Sequence, residues 1–198
     1  MTRPTTFDSP YYAYAYACYV DEAPRDDTRQ AACRDPYYAY RYARDVDKAP
    51  RDDTRQAACG NPGGAYAYAL DVDEGPRDDT RAAACASPGY AYYYARDVDK
   101  APRDDTRQAA CASPADAYAY RYARYVDGRK PVRLGEVSGY EVTYLAGAVN
   151  VGCQYRTVDD WAENWRTYAA DDGLEPAPAD VEALLEAARA AAGKEATP

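Results

Sequence analysis

Six cysteines and several adjacent aspartate pairs are the residues of this chain whose types could do chemistry. A thiolate can attack, chelate or cross-link, and paired carboxylates can pass protons. Each needs a partner that the sequence withholds. There is no histidine among the 198 residues. That removes the usual activator of a Cys or Ser nucleophile and the commonest metal ligand. Cys33, Cys59, Cys85 and Cys111 recur at an interval of 26, with Cys18 and Cys153 outside the series. None forms the clustered CxxC pattern of a zinc site. Equivalent residues of stacked helices lie roughly 8–10 Å apart, beyond the ~4.4–6.8 Å Cα span of a disulfide. The repeat cysteines are therefore expected to be small buried hydrophobes in a reducing compartment. Asp159–Asp160 and Asp171–Asp172 are adjacent, and adjacent residues do not face one another on a helix, so capping or a turn explains them better. The residues predict a non-enzymatic protein with no catalytic group, no metal and no cofactor.

Recognition is the other chemistry on offer. The segment PRDDTRQAAC spans Pro24–Cys33, Pro50–Cys59 and Pro102–Cys111, and returns at Pro76–Cys85 with Ala82 in place of Gln. Before each copy lies a Tyr/Ala segment that ends in Val-Asp, at Val20, Val46, Val72 and Val98. A fifth Tyr/Ala segment ends two residues late, at Val126. Within this framework three positions vary, five and two residues before the Val and two after it. They hold Ala15, Cys18, Glu22; Arg41, Arg44, Lys48; Ala67, Leu70, Glu74; Tyr93, Arg96, Lys100; and Arg121, Arg124, Gly128. On a helix these positions share one stripe. Arg41, Arg44, Lys48, Tyr93, Arg96, Lys100, Arg121 and Arg124 are thus candidates for a basic partner-binding surface. A solvated face that varies freely accounts for the same pattern.

The elements that must carry the stripe follow from the repeat. Relative to the Val, Ala, Tyr, Ala and Val fall at −7, −4, −3 and 0, as in Ala13, Tyr16, Ala17 and Val20. That is one face of an α-helix, with the Val expected in the core. Pro36, Pro62 and Pro88 open the segments, where a helix tolerates proline, and Ala is a strong helix former and a poor strand former. Pro24 suits the first position of a second, shorter helix with Asp26 and Asp27 in its first turn. Neither helix buries its apolar face alone, so stacking must supply the core. The expected fold is mainly α: a solenoid of α-helical hairpins in 26-residue repeats with a small α+β C-terminal cap. Its parts are a tail over 1–9, a repeat array over 10–133 and a C-terminal module over 134–198. Arg of one copy is expected to meet Asp of the next in exposed pairs worth about 0–1 kcal/mol each.

In the C-terminal module, YEVTYLAGAVNV (140–151) predicts a hairpin around Ala146–Gly147. Thr157 and Asp160 read as a helix cap, and Trp161, Trp165 and Tyr168 as that segment's core. Val181, Leu184, Leu185 and Ala188 predict a last helix ended by Gly193. The formal charge of −9 is unevenly shared: residues 140–198 carry a net −7, and residues 10–139 only −2. A near-neutral array lacks the cation density of a nucleic-acid grip, so nucleic acid is disfavoured as partner. No stretch reaches the ~18 apolar residues of a membrane helix, and MTRPTTFDSP lacks an apolar signal region.

Pro88–Val98, PGYAYYYARDV, resembles tandem α-helical repeats of about this period in proteins of tailed bacteriophages and other viruses. Val151–Trp161, VGCQYRTVDDW, is similar to a small C-terminal module of phage repeat proteins, with Arg156 where those usually carry His. The resemblance implies a structural repeat and no activity. It places the protein in the host cytoplasm or the virion, with a host or virion protein as partner. The leading expectation is a phage-encoded protein-interaction module. Its rivals are a virion structural or decoration component, an inhibitor of a host defence nuclease or complex, and a nucleic-acid binder through Tyr93 and the Arg stripe.

Overall fold

A computed structural model describes residues 6–112 and 117–195. The chain divides into two compact units, residues 1–109 and 110–198. The protein is mainly helical, with one small antiparallel sheet toward its C-terminal end.

In the first unit each copy forms a Tyr/Ala helix and a short acidic helix. The Tyr/Ala helices are α1 (Pro10–Tyr16), α3 (Pro36–Tyr42), α5 (Pro62–Asp71) and α7 (Pro88–Tyr93). The acidic helices are α2 (Asp26–Ala32), α4 (Asp52–Ala58), α6 (Asp78–Ala84) and α8 (Asp104–Ala110). Proline occupies the first turn of every Tyr/Ala helix, and the Asp35 and Asn61 side chains cap α3 and α5 by accepting two backbone N–H groups each. Three of these helices widen at their ends into π-helical turns, at Ala17–Asp21, Ala43–Asp47 and Tyr94–Asp99. A residue at positive φ then closes each copy: Glu22, Lys48, Glu74 and Lys100, at 48–52°.

Tyr/Ala helices pack on the acidic helix of their own copy, α1 on α2, α3 on α4 and α5 on α6, and on the next Tyr/Ala helix, α1 on α3, α3 on α5 and α5 on α7. Alanines make the close contacts: Ala13, Ala17, Ala39, Ala43, Ala65, Ala69, Ala91 and Ala95 are fully buried. So are Tyr42, Tyr68 and Tyr94. Large rings set against small methyls give interdigitation without long aliphatic side chains.

Several expectations are corrected. The repeat valines are not a uniform core: Val20 is 61% exposed, Val46 and Val72 are half-buried, and only Val98, at 7%, is buried. The π turn does not set this by itself, since Val72 follows a helix without one and Val98 lies within one. Pro24 precedes α2 rather than opening it; Arg25, in extended conformation, is the cap residue. Cys33, Cys59 and Cys85, at the C-caps of α2, α4 and α6, are half-buried free thiols, and Cys111 is exposed. Of the expected tail, residues 1–5 lie outside the described residues, and Phe7 is buried against Ala13, Ala31 and Tyr16.

The second unit holds α9 (Tyr118–Tyr125), which is the fifth Tyr/Ala segment, and then β1 (Val132–Val137), β2 (Tyr140–Leu145), β3 (Ala148–Val151) and β4 (Gln154–Thr157). Helices α10 (Val158–Asp171) and α11 (Pro178–Glu195) follow. The strands lie in sequence order, all antiparallel, and the hairpin expected over 140–151 is the central pair, with Val142 opposite Val151 and Leu145 opposite Ala148. A bulge between Arg133 and Gly135 bends β1, where a Cβ on Gly135 would come within 2.9 Å of Leu184 Cδ2. Thr157 Oγ1 accepts from the Asp160 N–H at 3.1 Å and caps α10. Helix α11 continues through Gly193 to Glu195, so that glycine does not end it. Among the described residues no helix is long and apolar enough to cross a membrane.

Candidate functional site

Two sets of tyrosines, set two residues apart on each Tyr/Ala helix, join neighbouring copies. In the first, Tyr42 Oη accepts from the Arg25 N–H at 3.0 Å and lies 2.8 Å from Thr28 Oγ1, so it seats the N-terminus of the preceding acidic helix. Tyr68 does the same for Arg51 and Thr54, and Tyr94 for Arg77 and Thr80. In the second, a tyrosine hydroxyl reaches forward 31 residues to the aspartate just before the next repeat Val. Tyr14 donates to Asp45 at 2.7 Å, Tyr66 to Asp97 at 2.8 Å, and Tyr40 to Asp71. The tyrosines are thus polar bridges as well as core.

The candidate stripe sits on this second set. Arg41 Nε reaches Asp45 Oδ2 at 2.9 Å, its Nη2 reaches Tyr14 Oη at 2.8 Å, and its guanidinium lies over the Tyr14 ring. Arg44 meets the same carboxylate at 2.7 Å and donates to Tyr40 Oη at 2.6 Å. Burial works against ionising Asp45, but Arg44, the Tyr14 hydroxyl and Arg41 outweigh it and hold that carboxyl well below the usual range. Burial first and Asp45 second push the Tyr14 hydroxyl above its ordinary value, and Tyr40 rises to about 12 through burial and Asp71. In the fourth copy Arg96 pairs with Asp97 at 2.6 and 2.7 Å and lies over Tyr92 and Tyr93 at 5.1 and 5.0 Å. Tyr93 is itself in ring contact with Tyr66, Tyr90 and Tyr92.

Arg41 with Arg44, and Tyr93 with Arg96, are therefore brought together as expected from spacing. Lys48 and Lys100 are exposed on the positive-φ residues that follow the helices, not on a continuous helical stripe. Ala67, Leu70 and Glu74 occupy the equivalent positions in the copy between. Arg121 and Arg124 belong to the second unit, where Arg121 lies over Tyr118 and Tyr155 and Arg124 over Tyr125.

Sequence reasoning missed a buried ion pair. Arg29 holds Asp47 by both Nε and Nη2, with Nη2 at 2.7 Å, and the side chains are only 7% and 4% exposed. Arg81 and Asp99 repeat the arrangement. These are not the exposed pairs expected. The signal was present: an Asp follows every repeat Val and an Arg recurs in every acidic helix, both unvaried. The middle copy breaks the pattern. Arg55 turns to Asp79 at 2.9 Å, leaving Asp73 buried with 3.6 Å to Arg55 Nη1 and 3.1 Å to Arg77 Nε, with no hydrogen bond to either carboxylate oxygen. Burial raises the Asp73 carboxyl accordingly.

Burial also pushes the Cys33, Cys59 and Cys85 thiols up to about 11, the opposite of what a nucleophile requires. Among the described residues no group of three His, Cys, Asp or Glu side chains is placed to hold a metal ion. No family model matches this chain, and no curated protein or solved structure shows significant similarity to it.

Proposed function

We propose that this chain is a non-enzymatic interaction protein, a short α-helical solenoid with an α+β cap that holds a protein partner through the arginine and tyrosine surface of its second and fourth copies. A bacteriophage origin, and a place in the host cytoplasm or the virion, belong to the same reading and rest on the resemblance of the repeat. One observation carries it. The tyrosine-to-aspartate bridge between copies persists from Tyr40 to Asp71, although Leu70 stands in that copy where Arg44 and Arg96 stand in its neighbours. The accepting aspartate of the bridge therefore needs no arginine beside it, although Arg44 still meets Tyr40 Oη from the other end, so arginine beside Asp45 and Asp97 is more than the joint requires and supports work at the surface. Arginine backed by aromatic rings is also the composition of interaction hot spots.

Leu70 supplies the test. The double variant Arg44→Leu, Arg96→Leu copies a residue the repeat already accepts, so it should still fold cooperatively, with a melting temperature lowered by the lost contacts to Asp45, Asp97 and Tyr40. Wild-type protein should capture a specific partner from host or infected-cell lysate, identified by mass spectrometry, and the double variant should not. Undiminished capture would return the stripe to a solvated face. A net −7 over residues 140–198 favours a second reading, an inhibitor that sets this acidic segment against the basic cleft of a host nuclease. Its mark is capture that survives the double variant but is lost in high salt. Stoichiometric recovery in purified particles is the mark of a virion component.

A further inference from the structure

The second unit carries a half-open pocket of about 220 Å³ between one face of its sheet and helices α10 and α11. Val142 and Val149 line its sheet side, Trp161 and Trp165 its α10 side and Leu184 its α11 side. A concave and mostly apolar wall with a few placed polar groups is the make-up of a small-molecule site. Roughly 150 Å³ admits benzene, so a ring with a short chain has room. The formal charge on the wall is of one sign. Asp172 lines the pocket, and no Lys or Arg does. Asp172 is an exposed residue at the C-cap of α10, where the last carbonyls already present the negative end of the helix. The last turn of α10 holds no basic residue to offset that end. Gln154 Nε2 donates to Asp172 Oδ2 at 2.8 Å, a neutral donor that leaves the charge in place. Residues 158–188 hold nine acidic side chains and one basic, Arg166. Arg166 lies over Trp165 at 4.4 Å and Arg156 over Tyr168 at 4.1 Å, but neither lines the pocket, and Arg156 already faces Asp160 at 3.5 Å.

We propose that this pocket binds a small organic cation, with an apolar body beside Trp161, Val142 and Leu184 and an ammonium group on the Asp172 carboxylate. A neutral apolar molecule would use the wall and leave the carboxylate idle. An anion would meet both Asp172 and the negative end of α10, with no cation on the wall to hold it. An ammonium group gains from the carboxylate, from the helix end and from the faces of the tryptophan rings. The acidic excess over residues 158–188 draws a cation toward the site from solution.

The chain has two tryptophans and both line the pocket, so tryptophan emission of the full-length protein reports this site. Phenethylammonium, 2-phenylethanol and phenylacetate have similar bodies and differ in charge. They are the probes, at low salt and about pH 7, where the amine is charged. Phenethylammonium should give a saturable change and bind about fivefold tighter than the alcohol, the value of an exposed ion pair at the upper end of its range. Phenylacetate should bind most weakly. Added salt should erode the preference for the amine. Methylammonium, charge without a body, should leave the emission unchanged over the same concentrations. In Asp172→Asn, which keeps an acceptor for Gln154, the amine should fall to the level of the alcohol, whose own binding should not move. Circular dichroism identifies a variant that has lost its fold; the wild-type ranking of the probes stands without the variant. No saturable change with phenethylammonium overturns the proposal. An alcohol that binds the wild type equally well overturns it too, since Asp172 would then have no part, and so does methylammonium matching the larger amine, since the pocket would then have none.

Discussion

At the scale of single residues, the polar atoms of this protein decide more than its apolar ones. Tyr68 Oη, wholly buried, serves the Arg51 backbone and Thr54 together. Tyr68→Phe keeps the ring and removes the hydroxyl, leaving the Arg51 N–H without its partner while Thr54 Oγ1 keeps the Arg51 carbonyl, at a cost of about 1–3 kcal/mol in urea unfolding. Tyr11→Phe, at a largely exposed ring, should cost nothing measurable. The buried pair Arg81–Asp99 gives a larger effect. Arg81→Met strands a buried carboxylate and should cost about 3–5 kcal/mol, whereas adding Asp99→Leu should recover most of the loss. A double variant no more stable than Arg81→Met would mean that the ion pair does more than neutralise itself. The identity of these partners was legible in part. The fixed Thr, Asp and Arg of every copy mark positions under constraint and a meeting of Arg with an Asp of the next copy is expected, but spacing does not say that the partner is the aspartate after the Val, eighteen residues on, or that the pair is buried.

At the scale of elements, the Tyr/Ala and acidic helices were legible because proline, alanine and period coincide. Their ends were not. A π turn leaves no mark in residue type, yet it ends three of the Tyr/Ala helices, at Ala17–Asp21, Ala43–Asp47 and Tyr94–Asp99. The position two after the Val, which reads as part of a variable stripe, is instead a left-handed cap: Lys48 at φ 51°, Glu74 at 51° and Lys100 at 52°, with Gly128 at 71° in the second unit. Its variety of side chains reflects a backbone role. Lys48→Gly removes a strained left-handed residue and should stabilise the protein by up to about 1 kcal/mol in denaturant unfolding, since the relief of strain exceeds the added freedom of the unfolded chain. A loss of stability would show that the Lys48 stem contributes packing. In the sheet, β2 and β3 announce themselves by alternation about Ala146–Gly147. Strand β1 is hidden by the bulge at Gly135, and β4 by running straight into the Thr157 cap of α10. The half-open pocket of the second unit was illegible for a related reason: Val142 of β2, Val149 of β3, Trp165 of α10 and Leu184 of α11 line it, and each reads as core when taken alone.

At the scale of the whole molecule, the absence of histidine and the fixed aspartate and tyrosine bridges set how stability depends on pH. Asp45 and Asp97 lie below their ordinary value of 3.8, Asp97 through Arg96 and Tyr66, and Asp79 is lowered too, Arg55 prevailing over burial. A carboxyl lowered by folding adds stability above its unfolded value and loses it as pH falls through the folded one. Asp73, raised by burial, works in the opposite sense and trims the loss. Tyr14, Tyr40 and Tyr66 are raised by burial and by the aspartate each contacts, Tyr40 to about 12. Their contribution is complete below the ordinary 10 and is lost as pH rises through the folded values, because the unfolded chain ionises first. Between these limbs no side chain has an ordinary value near neutrality, so the melting temperature should be flat from about pH 5 to about pH 9. It should fall below about 4 and again above about 10. Asp45→Asn should lower the plateau and blunt the acid limb, because the pair it breaks is the one acid would have broken. Tyr14→Phe should blunt the alkaline limb and, because its hydroxyl helps hold Asp45 low, weaken the acid limb as well. A melting temperature that sloped across neutral pH would require a titrating group among the thiols, and the half-buried repeat cysteines, held near 11, are the wrong groups to supply it.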